Sequence, residues 1–148
     1  MHLLDAITIT LAGLMVGNEL AVSAFFNPAV WRLESTAQAQ GLSILAGSLG
    51  RVMPVWYGLC LALLVLESFL HRHQTTLVPL LVATLIWAGV IVFTIRMLVP
   101  INDRIAVLNT VAPTPGWRHD HQKWDSLHRV RTLLLLVALL ALIYALVA

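Results

Sequence analysis

Four stretches of this sequence are long enough and apolar enough to cross a lipid bilayer as helices, which need roughly 20 mostly apolar residues. They cover about residues 4–29, 52–70, 77–99 and 132–148. The polar residues just before the fourth stretch include no helix breaker, so we expect one long helix that begins near Trp117. The pattern predicts an all-α fold, an integral-membrane four-helix bundle with up-down-up-down topology and a polar loop and helix extension over residues 100–131.

The composition agrees with a chain that lies in a membrane. Hydrophobic residues make up 59% of the chain and charged residues 11%, less than half of the roughly 25% found in soluble domains. This excludes a disordered chain, a soluble enzyme domain and a nucleic-acid binder with a basic face. The expected partner is therefore the lipid bilayer and no nucleic acid. The length predicts a single domain over residues 1–148.

The basic residues are unevenly divided between the two ends of the predicted bundle. Of the Lys and Arg residues, only Arg72 falls on the side of the second loop and the termini. The positive-inside rule then predicts a multi-pass protein of the cell (inner) membrane, with loops 1 and 3 in the cytoplasm and both termini outside. Gly13 and Gly17 have a spacing that permits close helix packing, either inside the bundle or in a homo-oligomer.

Half of the charged residues are concentrated in one segment. Residues 97–131 hold eight of the sixteen (nine Lys and Arg plus seven Asp and Glu) and three of the six histidines. Asn27 at the end of span one, and Arg51 and Trp56 near the start of span two, come to the same end of the bundle. Polar groups that converge on one end of a bundle interior indicate a ligand site. We therefore predict that Asn27, Arg51 and Trp56 contact a substrate.

Two acidic residues lie within the predicted spans, where an ionised carboxylate is costly unless it is paired or faces the interior. Glu19 is near the middle of span one, and Ser23 and Asn27 follow it on the same helix face. This stripe is either an interhelical hydrogen-bond clamp or one wall of a substrate or proton path. Glu67 is near the end of span two, where we expect its side chain to extend outward to the interface.

The last helix carries a polar face with the elements of acid–base chemistry. His121, Asp125 and His128 follow one another at i, i+4 and i+7, with Trp124 and Arg131 on the same or an adjacent face. A histidine near a carboxylate can act as a general base, and an arginine can hold an enolate or carboxylate. The alternative is an interfacial belt in contact with lipid headgroups. We expect the functional role for His128 and Arg131, and the belt for His121.

The histidines also suit a metal, although we expect none. His119, His121 and His128 could together bind zinc or copper, but residues i and i+2 of a helix point roughly 200° apart. That leaves His121 and His128 as the alternative metal ligands, and haem is less expected than a metal ion. A second group, which we expect to be solvated at the other end of the bundle, comprises His2, His71 and His73.

Two motifs resemble the small four-span membrane proteins grouped with the fungal anthrone oxygenases. One is an asparagine shortly after the proline that follows span three, here Asn102 after Pro100. The other is a W-x3-H-x2-R pattern that opens span four, here Trp124, His128 and Arg131. The length and the four-span layout agree with this resemblance as well. It covers the whole chain in architecture and about 35 residues in motif.

The resemblance implies a cofactor-independent oxygenase, which oxidises an anthrone to an anthraquinone with dioxygen through the enolate. It implies His128 as the general base, Arg131 and Asn102 as the groups that stabilise the developing negative charge, and Trp124 as a stacking surface for the substrate. The substrate would be an apolar aromatic molecule from the bilayer. The residue pattern leaves Asp125 and Glu19 as further substrate-binding candidates.

A different class of function stays open at this point. A non-catalytic membrane module could use the same polar end to bind a small molecule, a lipid or a metal, or to join a membrane complex. Bound metal or haem in the purified protein would favour such a module over the cofactor-free mechanism. A transporter is less expected, because the four spans show no internal repeat.

Overall fold

The computed structural model describes residues 3–108 and 115–147, and nearly all of them are helical, with no strand among them. Four long helices follow one another: α1, Leu3–Val30; α2, Ser35–Leu70; α3, Leu77–Ala106; and α4, Trp117–Val147. All four are long and apolar enough to cross a membrane, which confirms the prediction of an all-α, multi-pass membrane fold. The up-down-up-down order of the helices stays a prediction.

Two helices extend far beyond the predicted apolar spans. α2 has 36 residues, about 54 Å at 1.5 Å per residue, whereas the hydrocarbon core of a bilayer is about 30 Å thick. Its first half, before Val52, carries Ser35, Gln38 and Gln40. α4 begins at Trp117, where the sequence predicts its start, and its first turns are polar. These extensions build the polar end of the bundle.

Both α1 and α3 contain a π-helical turn shortly before a proline. The turns cover Val22–Phe26 and Thr94–Leu98, and Pro28 and Pro100 each follow two residues later. The backbone N–H just after each turn bonds to the carbonyl five residues earlier. Proline has no N–H to donate to the backbone hydrogen bonds of an α-helix, and its ring clashes with the carbonyl four residues before it. A π turn shifts the backbone hydrogen-bond register by one residue. Pro100 therefore does not end α3, which continues to Ala106.

Two apolar clusters hold the helices together. The larger lies in the middle of the bundle around Met15, Leu64, Trp87 and Leu135. The smaller lies at the polar end and joins the extensions of α2, α3 and α4; its buried members are Val30, Ala39, Leu42, Ala46, Ile101, Ile105, Leu108 and Trp117. The two clusters leave a cavity between them, since its lining includes members of both.

The outer surface of the bundle is apolar. Leu14, Val55, Leu85 and Leu140 are each at least 60% exposed, as expected of side chains that contact lipid. This surface fits insertion in a bilayer. Of the sequence features discussed above, His2, residues 109–114 of the predicted polar loop and Ala148 lie outside the described residues.

Candidate functional site

A cavity of about 390 Å³ lies inside the polar end of the bundle and is partly open to the surface. Its volume is typical of small-molecule pockets, which measure about 300–1,000 Å³. Its wall is mostly apolar. The polar and aromatic side chains in its lining are Asn18, Glu19, Asn27, Tyr57, Thr94, Asn102, Asp103, His121, Trp124, His128 and Arg131. This composition suits an apolar ligand whose orientation is fixed by a few polar groups.

A buried ion pair occupies one wall of the cavity. The guanidinium Nη2 of Arg131 donates to Oε2 of Glu19 over 2.6 Å, and the Tyr57 hydroxyl donates to Oε1 over 2.9 Å. All three side chains are buried. Removing two charges from water is costly unless they are paired and hydrogen-bonded. The partners of Glu19 meet that requirement, so this span-one carboxylate can stay ionised inside the bundle.

His128 is fully buried beside the ion pair, and both of its ring nitrogens have partners. Nδ1 lies 2.8 Å from Nη2 of Arg131 and 3.2 Å from Oε2 of Glu19, and Nε2 lies 3.1 Å from the backbone oxygen of Glu19. A guanidinium only donates, so Nδ1 accepts from Arg131, and Nε2 carries the proton that the Glu19 carbonyl accepts. His128 is therefore a neutral residue that orients Arg131, with no lone pair left for a substrate.

The π turns of α1 and α3 both contribute to this wall. Val22 of the first turn and Thr94 and Leu98 of the second line the cavity, and Oγ1 of Thr94 lies 3.5 Å from Nη1 of Arg131. A π turn interrupts the regular backbone ladder and is frequent at functional sites. No residue pattern in the sequence predicts either turn, although a proline follows each.

A second polar group, behind the cavity surface, positions Asn27. The Asn27 amide donates to Oδ1 of Asp125 over 2.7 Å, and Arg129 donates to Oδ2 over 2.6 Å. Asn27 lines the cavity, but Asp125 does not. Both oxygens of Asp125 bond to protein donors, and its predicted contact with a substrate stays a prediction.

Four aromatic rings form a row along the first turns of α4. The ring centroids of Trp31 and His121 are 4.8 Å apart, those of His121 and Trp124 are 6.3 Å apart, and those of Trp124 and His128 are 4.7 Å apart. His121 is 1% exposed, so its predicted place in an interfacial belt was wrong. Among the described residues, neither of its ring nitrogens has a hydrogen-bond partner. A buried polar group without a partner is costly, and a ligand in the cavity would supply one.

We infer that the cavity opens sideways between α2 and α3, because the exposed residues of its lining lie on these two helices. Gly50, Pro54 and Gly58 line it on α2, Ile95, Val99 and Asp103 line it on α3, and all six are exposed. Residues four apart lie on one helix face, so two facing rows form the rim. We call this opening the lateral portal.

Direct contacts between α2 and α3 bound the lateral portal at both ends. On one side of it, Nε1 of Trp87 donates to the backbone oxygen of Tyr57 over 3.3 Å. On the other side, the Asn102 amide donates to the backbone oxygen of Ala46 over 3.4 Å. The opening is thus a gap in a helix pair that is otherwise in contact.

The structure brings six of the nine predicted site residues together and places Asp125, described above, and two others outside the cavity lining. Glu19, Asn27, Asn102, Trp124, His128 and Arg131 line one cavity. Arg51 is exposed, and its Nε donates to the Gly47 carbonyl one turn earlier. Trp56 donates through its indole to the Leu11 carbonyl on α1. Both lie outside the lining because the helix faces that carry them differ from the face of Gly50, Pro54 and Gly58.

The sequence reasoning missed Tyr57 and undervalued His121. Tyr57 lies in an apolar stretch where nothing singles out the face that points inward. A signal was present, because a tyrosine in a span has a hydroxyl that needs a partner. For His121 the signal was its spacing of seven residues from His128, which places both on one helix face.

No metal-ligand set forms at the cavity among the described residues. The group of ligand-type side chains close enough to share an ion consists of Asp5, Glu67 and His71, at the other end of the bundle. Neither His121 nor His128 belongs to it.

Glu67 is fully buried, and Oγ1 of Thr8 donates to its Oε1 over 2.9 Å. The prediction that Glu67 extends outward was wrong, because its helix face meets α1 rather than lipid.

Comparison with known proteins gives one match. The sequence model of a family described as anthrone oxygenase matches residues 46–141, nearly two thirds of the chain. The match includes α3 and most of α2 and α4, with Tyr57, Asn102, Trp124, His128 and Arg131. No curated protein and no solved structure matches the chain.

Proposed function

We propose that this chain, which belongs to the anthrone oxygenase family, is a membrane-embedded oxygenase for an anthrone-like, apolar aromatic substrate. The observation that carries the proposal is the buried pair of Glu19 and Arg131 in the wall of an apolar cavity. An intramembrane ion pair that faces a cavity is typical of a functional site rather than of a packing contact.

The substrate enters through the lateral portal. Its rim consists of glycine, proline and aliphatic residues, with Asp103 as the one charged residue at its polar end, so a flat apolar molecule dissolved in the bilayer meets little steric obstruction. Inside, the row of aromatic rings that includes His121, Trp124 and His128 offers an aromatic wall for the ring system of the substrate. Asn102 and the unpartnered nitrogens of His121 supply hydrogen bonds to the oxygen substituents of the substrate.

Glu19 takes the proton from the benzylic carbon of the substrate. A carboxylate has lone pairs beyond the two that Tyr57 and Arg131 use, whereas both ring nitrogens of His128 are engaged. As the proton arrives at Glu19, the negative charge moves to the enolate oxygen of the substrate, which Arg131 and Asn102 stabilise. The guanidinium of Arg131 is paired with the Glu19 carboxylate before the step and with the enolate oxygen after it. No isolated charge therefore forms in the apolar interior.

Dioxygen is the oxidant of the second step. The methylene carbon of an anthrone loses both hydrogens and gains one oxygen atom as a carbonyl, and the second oxygen atom leaves as water. The four electrons that this dioxygen accepts come from the substrate, so the balance requires no other co-reactant. Because dioxygen and the substrate supply all the electrons, the protein has to form the enolate, exclude water and hold the ring system. His128 acts as a positioning residue for Arg131.

Closing the lateral portal tests this function. A Cβ atom at Gly58 would meet nothing within 4 Å, so Gly58→Leu leaves the backbone undisturbed and places its side chain at the opening. We expect the KM for an anthrone to rise at least about tenfold in membranes, with little change in kcat once substrate saturates. Quinone absorbance and oxygen uptake measure both constants.

The matched control is Gly89→Leu. Gly89 is also exposed and has nothing within 4 Å of its Cβ position, but it lies outside the cavity lining. The same substitution there should leave KM at the wild-type value. Equal kinetics of the two variants would contradict entry through this opening.

The proposed setting is the cell (inner) membrane, with the polar end of the bundle on the cytoplasmic side. Eight basic residues lie at that end or in the loops beside it, and Arg72 alone lies at the other. The positive-inside rule supports this orientation. A homo-oligomer that packs through Gly13 and Gly17 stays a prediction.

A further inference from the structure

A second buried polar cluster lies at the end of the bundle opposite the cavity. Asp5 is in the first turn of α1, Glu67 is in the last turn of α2, and His71 directly follows that helix. One ligand atom from each of the three side chains lies within 4.8 Å of the other two. Asp5 is 5% and Glu67 0% exposed, and His71 is half-buried. The proposed oxygenase function uses none of them.

The two oxygens of the Glu67 carboxylate have different surroundings. Oε1 accepts a hydrogen bond from Thr8. Oε2 is buried without a hydrogen-bond partner among the described residues, although Nδ1 of His71 lies 3.5 Å away. A buried oxygen without a donor is costly. Nδ1 of His71 also lies 3.0 Å from the backbone oxygen of Glu67, and a cation among the three side chains would satisfy Oε2.

Among the described residues, Glu67 has no arginine or lysine partner like the arginine that pairs with Glu19. Arg72, the basic residue nearest in sequence, does not turn toward Glu67. Its Nη1 donates to the Phe69 carbonyl over 3.0 Å, and its guanidinium lies 4.4 Å from the centroid of the Phe69 ring.

We propose that Asp5, Glu67 and His71 bind a divalent transition-metal cation of the zinc class and thereby fasten the start of α1 to the end of α2. One imidazole and two carboxylates suit zinc, cobalt or manganese better than calcium or magnesium, which prefer oxygen ligands alone. Three protein ligands leave a further coordination position for water. This site is separate from the cavity and has a structural role.

Metal titration of the full-length protein tests the proposal. The purified protein in detergent is stripped with a chelator and titrated with Zn²⁺, and with Co²⁺ for its visible absorption. We expect one ion per chain and a higher midpoint of thermal unfolding in its presence. Glu67→Gln keeps the shape of the side chain but removes its charge, and His71→Asn removes the imidazole. Each should weaken binding at least tenfold, because each removes one of three ligands.

Two matched controls carry the same substitutions at exposed positions. Glu34→Gln and His119→Asn alter residues that lie outside the cluster, and both should bind Zn²⁺ as the wild type does. His71 is partly exposed, so His71→Asn gives a folded test protein even if Glu67→Gln does not fold. The proposal is overturned if the wild type shows no saturable binding, or if His71→Asn binds Zn²⁺ with wild-type affinity. Neither result would bear on anthrone oxidation.

Discussion

Glu19→Gln is expected to lower the kcat of anthrone oxidation by at least about 100-fold, the usual contribution of a positioned general base. Glutamine has the size of glutamate, its amide oxygen can accept from Arg131, and its NH2 group can donate to the hydroxyl oxygen of Tyr57. It cannot take up a proton from carbon. The variant should therefore bind the substrate in a cavity of nearly unchanged shape while enolate formation fails. Quinone formation per folded protein measures the effect.

Two comparison variants make this result specific. Glu34→Gln is the same change at an exposed position outside the cavity and should keep wild-type kcat. His121→Phe removes the unpartnered nitrogens but keeps an aromatic ring in the row, and we expect it to raise KM more than it lowers kcat. Wild-type kcat in Glu19→Gln together with a hundredfold loss in His121→Phe would transfer the role of base from Glu19 to His121.

Arg131→Met is expected to have the largest effect on stability. It removes the cation from a pair whose donor and acceptor are 2.6 Å apart, and it leaves the Glu19 carboxylate buried with Tyr57 as its remaining donor. Breaking a buried pair on one side costs about 3–5 kcal/mol. His128 loses its hydrogen bond to Nη2 as well. The midpoint of thermal unfolding in detergent should fall sharply, and activity should be lost.

The double variant Glu19→Gln/Arg131→Met separates charge from packing. Without either charge, no uncompensated ion stays inside the bundle, so much of the lost stability should return while activity stays absent. If the double variant were no more stable than Arg131→Met alone, the stabilising role of Arg131 would lie in its packing rather than in its charge.

Much of the cavity could be predicted from the sequence because polar residues in apolar spans are rare. Glu19 is a carboxylate in the middle of a span, and Trp124, His128 and Arg131 follow a helical spacing at the start of α4. Such residues must face the protein interior whatever the detailed packing is. The four helices could be predicted from length and hydropathy, because a helix that crosses a bilayer requires about 20 apolar residues.

What the sequence could not supply was the rotation of each helix. The spans are apolar on every side, so periodicity does not mark the inward face. For this reason Trp56 was assigned to the cavity, although it points to α1, and Tyr57 was overlooked one residue later. Glu67 was assigned to the interface for a similar reason. The proposal of Glu19 rather than His128 as the base depends on hydrogen bonds between residues more than 100 positions apart, which no local pattern contains.

The most direct test of the proposed function is the stoichiometry of oxygen uptake. The wild-type protein, purified in detergent and supplied with an anthrone, should consume one molecule of dioxygen for each molecule of quinone formed. Glu19→Gln should bind the same anthrone without oxygen uptake above the uncatalysed rate. If the wild type bound the anthrone without enhanced oxygen uptake, the result would contradict the proposed enzymatic function and identify the cavity as a non-catalytic binding site.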